Sequence, residues 1–168
     1  MQRFLVDGIN FDFPDDWHAS KYDDWSFYQN SFKRMRNGIK ALDLLAIDPD
    51  KTAWLIEVKD YRIHQRAKPI DIAGEVAHKV FDTLAALLPA KIYADDATEK
   101  SIALEISKAK RLRVVLHLAQ PAKHSKLYPR AINPADVRQK LCQLLKPIDA
   151  RPVVAESTRM GTLQWSVS

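Results

Sequence analysis

Two nearly continuous apolar runs, 40–47 and 52–61, constrain this chain most; only Asp48-Pro49-Asp50-Lys51 separates them. Asp and Pro at such a junction specify a turn. A strand with one wet face alternates apolar and polar residues, whereas a run without alternation belongs in a sheet covered on both faces. The spacing therefore predicts two adjacent central strands. Each is interrupted by ionisable residues: Asp43 in the first, Glu57 and Lys59 in the second. Period-two alternation puts Leu55, Glu57, Lys59 and Tyr61 on one face, and Trp54, Ile56 and Val58 on the other. Charges in such a place cost several kcal/mol each unless they are paired or bind a metal.

The flanking segments suit an α/β domain with a mixed sheet and helices on it. Residues 3–13 predict a hairpin around Asp7-Gly8, with Phe4, Val6, Ile9, Phe11 and Phe13 as its apolar side. Residues 20–36 predict an amphipathic helix. Trp25, Tyr28, Phe32 and Met35 mark its packed face, Ser20 and Asp23 a capping box, and Asn37-Gly38 its end. A long helix is expected from Pro69 and Asp71 to Pro89. Its stripe is Ala73, Ala77, Val80, Phe81, Leu84, Leu87 and Leu88. A further helix is expected over 97–110, opened by Asp96 and Glu99. Then come a strand over 112–118 and a helix opened by Asn133-Pro134, with Val137, Leu141, Leu144 and Leu145 inward. Short strands near 152–155 and 162–167 close the order. The expectation is one domain, 1–168, with an N-terminal hairpin (3–13), a core (20–146) and C-terminal strands (152–167).

Lys and Arg number 26 against 21 Asp and Glu in 168 residues, a formal net charge of +5, which favours an anionic partner. The one cysteine, Cys142, excludes an internal disulfide and a multi-cysteine zinc site, and suits a core position. The first residues lack a leader's apolar run, and no stretch is long and apolar enough to span a membrane, so a cytoplasmic protein is expected. Four glycines form no phosphate-cradling loop, and the five histidines show no metal-ligand spacing. The four tryptophans are expected in the core.

Two carboxylates beside a lysine offer a reason for the buried charge. The carboxylates can hold a hard divalent cation, the cation can activate water, and the lysine can stabilise charge developing at phosphorus. Asp43, thirteen residues, then Glu57-Val58-Lys59 resembles the PD-(D/E)xK nuclease superfamily, with Leu42 in place of the proline. The resemblance spans most of 20–146. It implies a restriction-endonuclease-like mixed central sheet flanked by helices, and a nuclease hydrolysing phosphodiester bonds, in DNA by family preference. Asp43, Glu57 and Lys59 would be catalytic. Asp43, Glu57 and the Val58 carbonyl would ligate Mg2+ or Mn2+, joined by an acid from the first helix; Asp24 is preferred there to Asp16 and to Asp23, which is read as a cap. The alternative is an inactive module of that fold that binds nucleic acid or a partner protein. A homodimer is compatible with either.

Arg62, His64, Arg66 and Lys68 alternate after the motif strand and suit either a phosphate track or a solvated edge. Lys79 can approach the site from the following helix, but a surface pair with Glu75 at helical spacing is the better reading. The basic run Lys108, Lys110, Arg111 and Arg113 is read as structural. Lys123, His124, Lys126 and Arg130 with Tyr128 form a basic loop that could stack on a base, although a solvated loop is preferred.

Overall fold

A computed structural model describes residues 1–64, 66 and 71–168. The two apolar runs form its centre. Strand β4 (Leu44–Ile47) pairs antiparallel with β5 (Thr52–Asp60), Leu45 opposite Leu55. Asp48 closes the turn: its carboxylate accepts from the Thr52 amide at 2.8 Å and the Trp54 indole at 3.0 Å. Strand β6 (Arg111–Ala119) runs parallel to β5 over its whole length, and β7 (Val153–Ala155) runs parallel to β6. On the other side β3 (His18–Lys21) pairs antiparallel with β4, so the order is β3-β4-β5-β6-β7. A second sheet joins β1 (Gln2–Val6), β2 (Ile9–Phe13) and β8 (Ser166–Val167). The hairpin turn is as expected, with Asp7 and Gly8 at φ of 49° and 74°.

Helices α2 (Ile72–Tyr93), α3 (Ala97–Ser107) and α4 (Pro134–Leu145) cover one face of the five-stranded sheet. Their core takes in Leu55, Val76, Val80, Ile102, Val114, Leu116 and Leu141. The opposite face is covered by the small sheet, through Phe11, Phe13, Trp17 and Trp165 packed with Ile56, Val58 and Val115. A mixed sheet flanked by helices is thus what the chain forms. Among the described residues no helix is long and apolar enough to cross a membrane.

Several elements depart from their expected form. Residues 20–36 do not make one helix. They form the end of β3, a 3-10 turn (Tyr22–Asp24), the five-residue helix α1 (Ser26–Asn30) and another 3-10 turn (Phe32–Met35). Long-range bonds override the helical pattern. The Tyr22 amide donates to the Asp43 carbonyl at 2.9 Å. The Ser20 hydroxyl accepts from the Trp25 indole instead of capping. The Glu99 carboxylate accepts from the Ser26 and Phe27 amides at 2.6 and 3.1 Å. Glu99 therefore caps α1 from a distance, while Asp96 alone caps α3. Trp25 and Tyr28 are buried as expected, but Met35 is exposed.

The first apolar run becomes strand only at Leu44, because α2 side chains take the earlier amides. Lys40 donates to Asp82 at 2.8 Å and Leu42 to the Thr83 hydroxyl at 3.1 Å. Asp71 caps α2 as expected, through the Gly74 amide, whereas Pro69 lies outside the described residues. Pro89 does not end that helix, which continues to Tyr93 because Leu87, Ala90 and Ala94 remain buried below it. Phe81, Leu88 and Leu144 are exposed instead of packed, and Cys142 is half-buried.

Candidate functional site

The face of β5 that carries Leu55 also carries Glu57 and Lys59, and it looks toward α2. Asp43, just before β4, is tied to β5 where its carboxylate accepts from the Val58 amide at 2.7 Å. Glu57 is fully buried, and its Oε1 accepts from Lys79 of α2 at 2.5 Å and lies 3.0 Å from the Lys59 ammonium. Lys59 also donates to Glu75 of α2 at 2.6 Å. Glu75 in turn accepts from Arg66 at 2.8 Å, and Arg66 donates to the Tyr61 hydroxyl at 2.9 Å. Asp43, Lys59, Glu75 and Lys79 line a cleft of about 350 Å³, together with Asp23, Lys33 and Lys40.

Burial raises the Glu57 carboxyl to about 7, helped by Asp43 and opposed by Lys79 and Lys59. Burial pulls Lys59 down, but Glu57 and Glu75 together outweigh it and hold its pKa above the ordinary value. Asp23 is raised to about 6, first by burial. One oxygen of Asp23 and one of Glu57 are buried without a hydrogen-bond partner.

These oxygens raise the question of a cation. Among the described residues no three His, Cys, Asp or Glu side chains gather to hold a metal. The Glu57 Oε1 already faces two ammonium groups, and one Asp43 oxygen is taken by a backbone amide. Lys59 and Lys79 thus compensate one oxygen of Glu57, while its second oxygen stays without a hydrogen-bond partner. Asp24 is not at the cleft: it is exposed and pairs with Lys21 at 3.1 Å, whereas Asp23 reaches the wall.

The sequence-predicted constellation of Asp43, Glu57 and Lys59 is brought together around one cleft. Arg62 pairs with Asp60 at 2.7 Å, and Lys68 lies outside the described residues. Lys79 is no surface partner of Glu75. Both reach from α2 to β5, Lys79 to Glu57 and Glu75 to Lys59. A signal for this was present: Glu75 directly precedes Val76 and Lys79 directly precedes Val80, so both flank the buried stripe of α2. The basic lip was also missed. Lys33 and Lys40 line the cleft and are exposed, and Arg34 and Arg36 are exposed in the same stretch of chain. Among the described residues none of them pairs with a carboxylate. Lys33 instead donates to Gln29 at 3.2 Å and lies 5.9 Å from the Tyr28 ring centroid.

Fold and cleft together define an α/β domain with a partly compensated charged floor and a cationic lip. No family model matches the chain, and no solved structure matches it. The chain is similar to a cysteine--tRNA ligase of Neisseria meningitidis serogroup A / serotype 4A (strain DSM 15465 / Z2491). The two are 29% identical over an alignment of 201 positions, gaps included, that takes in 95% of this chain and 29% of that protein. The chain thus spans less than a third of that relative's length. This similarity overturns the expected membership of the PD-(D/E)xK nuclease superfamily, and with it the expected metal-dependent hydrolysis of phosphodiester bonds. Lys59 and Lys79 supply part of the compensation for the buried Glu57 that a metal was invoked to provide.

Proposed function

We propose that this chain is a nucleic-acid-binding module that takes RNA of the transfer-RNA kind against the charged cleft and does not cleave it. The observation that carries this reading is the lip. Lys33 and Lys40, exposed in the cleft wall and with no carboxylate partner among the described residues, continue into the exposed Arg34 and Arg36 of the same stretch, and such cations can replace counterions on a phosphate backbone. Likeness to a tRNA ligase over nearly the whole chain supports RNA over DNA. In this reading Lys59 and Lys79 form a cationic floor held in place by Glu57 and Glu75, and Asp43 fixes the edge of β5. Magnesium enters only as a companion of the RNA phosphates. The module works inside the cell, where such RNA is found.

Fluorescence anisotropy tests this with labelled transfer RNA, single-stranded RNA and duplex DNA over a range of salt. Transfer RNA is expected to bind at least about tenfold more tightly than the DNA, with affinity falling steeply as salt rises. Changing Lys33, Arg36 and Lys40 together to Glu should remove most of that affinity. All three nucleic acids should remain intact in magnesium. Equal affinity for all three ligands, or indifference to the charge reversal, would defeat the reading.

A further inference from the structure

The loop between β6 and α4 plays no part in the cleft floor, yet hydrogen bonds tie it down at two points. Gln120 and Ile132 close its base reciprocally: the Gln120 amide donates to the Ile132 carbonyl at 3.0 Å, and the Ile132 amide donates back at 3.1 Å. Arg130 anchors it a second time, with two bonds of 2.7 Å to the buried Glu156 and one of 3.3 Å to the Pro121 carbonyl. The Arg130 amide also donates to His124 at 3.1 Å. The tip is a turn in which the Tyr128 amide donates to the Ser125 hydroxyl at 2.9 Å and the Ser125 amide to the Tyr128 carbonyl at 3.2 Å. Pro129 follows Tyr128 and restricts its backbone to extended conformations.

This fixed tip holds Tyr128 45% exposed and Leu127 75% exposed, with Lys123, His124 and Lys126 also in solvent. Among the described residues Lys123 and Lys126 pair with no acid, and the Tyr128 ring packs on no other ring. Arg130, by contrast, is an anchor and not a contact residue. The loop stands at the same end of the sheet as the cleft. The Tyr61 amide donates to the Ala119 carbonyl at 2.8 Å. The loop base, through Pro129, Ala131 and Ile132, packs beside Tyr61 and Arg66, and Arg66 reaches Glu75 in the cleft wall.

Resting on the RNA-binding reading above, we infer that residues 121–131 are an arm whose Tyr128 stacks on an unpaired base of the RNA while Lys123 and Lys126 take the flanking phosphates. The arm's ligand is therefore an RNA with single-stranded nucleotides next to the segment held by the cleft. An aromatic presented at low entropic cost just after two free cations suits sequence-tolerant base stacking. A fully paired helix hides its base faces and offers such a ring nothing.

The test compares an RNA hairpin that has an unpaired loop with a fully paired RNA duplex of equal length, by anisotropy on the full chain. Tyr128→Ala should weaken hairpin binding about tenfold and leave duplex binding unchanged, while Tyr128→Phe restores the hairpin affinity. Lys123→Ala with Lys126→Ala should lower the log–log salt slope for the hairpin by about one to two. If Tyr128→Ala weakens both ligands alike, or neither, the arm is refuted. If that happens while the charge-reversed lip still abolishes binding, the cleft reading survives without the arm. If the wild-type chain binds neither RNA, both fail.

Discussion

Two buried residues titrate in opposite senses. Glu57 holds its proton up to about pH 7 in the folded chain, against an ordinary value of 4.5. Its contribution to stability is present below about pH 4.5 and is lost as pH rises through 7. His117, on β6 and 1% exposed, is depressed from 6.5 to about 4 by burial, opposed by Glu156. Its contribution is present above about pH 6.5 and is lost as pH falls through 4. Each can change stability by at most about 1.4 kcal/mol per pH unit, so between roughly pH 4.5 and 6.5 they cancel. Urea unfolding should show this. Glu57→Gln leaves His117 uncompensated, so stability climbs with pH in that window; His117→Gln gives a decline. An unchanged slope in Glu57→Gln would mean that Lys59 and Lys79 keep Glu57 ionised throughout.

At the scale of elements, stability hangs on a few bonds that cross the fold. Helix α1 has five residues, too few to persist alone, and Glu99 of α3 holds its first amides. Glu99→Ala should cost about 1–2 kcal/mol. It should also speed hydrogen exchange at Ser26 and Phe27 before any other site; uniform exchange across the chain would contradict a local role. The hairpin turn makes a separate demand. Gly8 sits at φ of 74°, and a Cβ there would meet no atom closer than 3.9 Å. Gly8→Ala should therefore cost about 1 kcal/mol through backbone conformation alone, read as a shift in the urea midpoint with no change in slope.

For the whole molecule, Lys59 and Lys79 already stand beside the buried Glu57 where a cation would otherwise meet it. Millimolar magnesium without RNA is expected to leave the thermal midpoint where it is, and a rise of several degrees would revive a resident cation. Transfer RNA at a hundredfold excess over its dissociation constant should stabilise the chain by about 2.7 kcal/mol, a rise of roughly 5–10 °C. Absence of that rise would argue against binding to the folded state.

The central strand pair, the Asp7-Gly8 turn, the caps Asp71, Asp96 and Asn133, and the apolar faces of β5 were legible from the residues alone. Each rests on neighbours within a few positions, where period and turn chemistry act directly. That Asp43, Glu57 and Lys59 share one place followed from alternation along two strands in the same way. What alternation could not tell is who neutralises them. The partners Glu75 and Lys79 come from a helix sixteen or more residues away, and the breaking of 20–36 depends on the equally distant Asp43 and on Glu99, far beyond it in sequence. Local pattern can say that a buried charge needs a partner. Only the packing of α2 on the sheet decides whether that partner is a metal or a lysine, because the energy of an ion is set by the atoms around it in space.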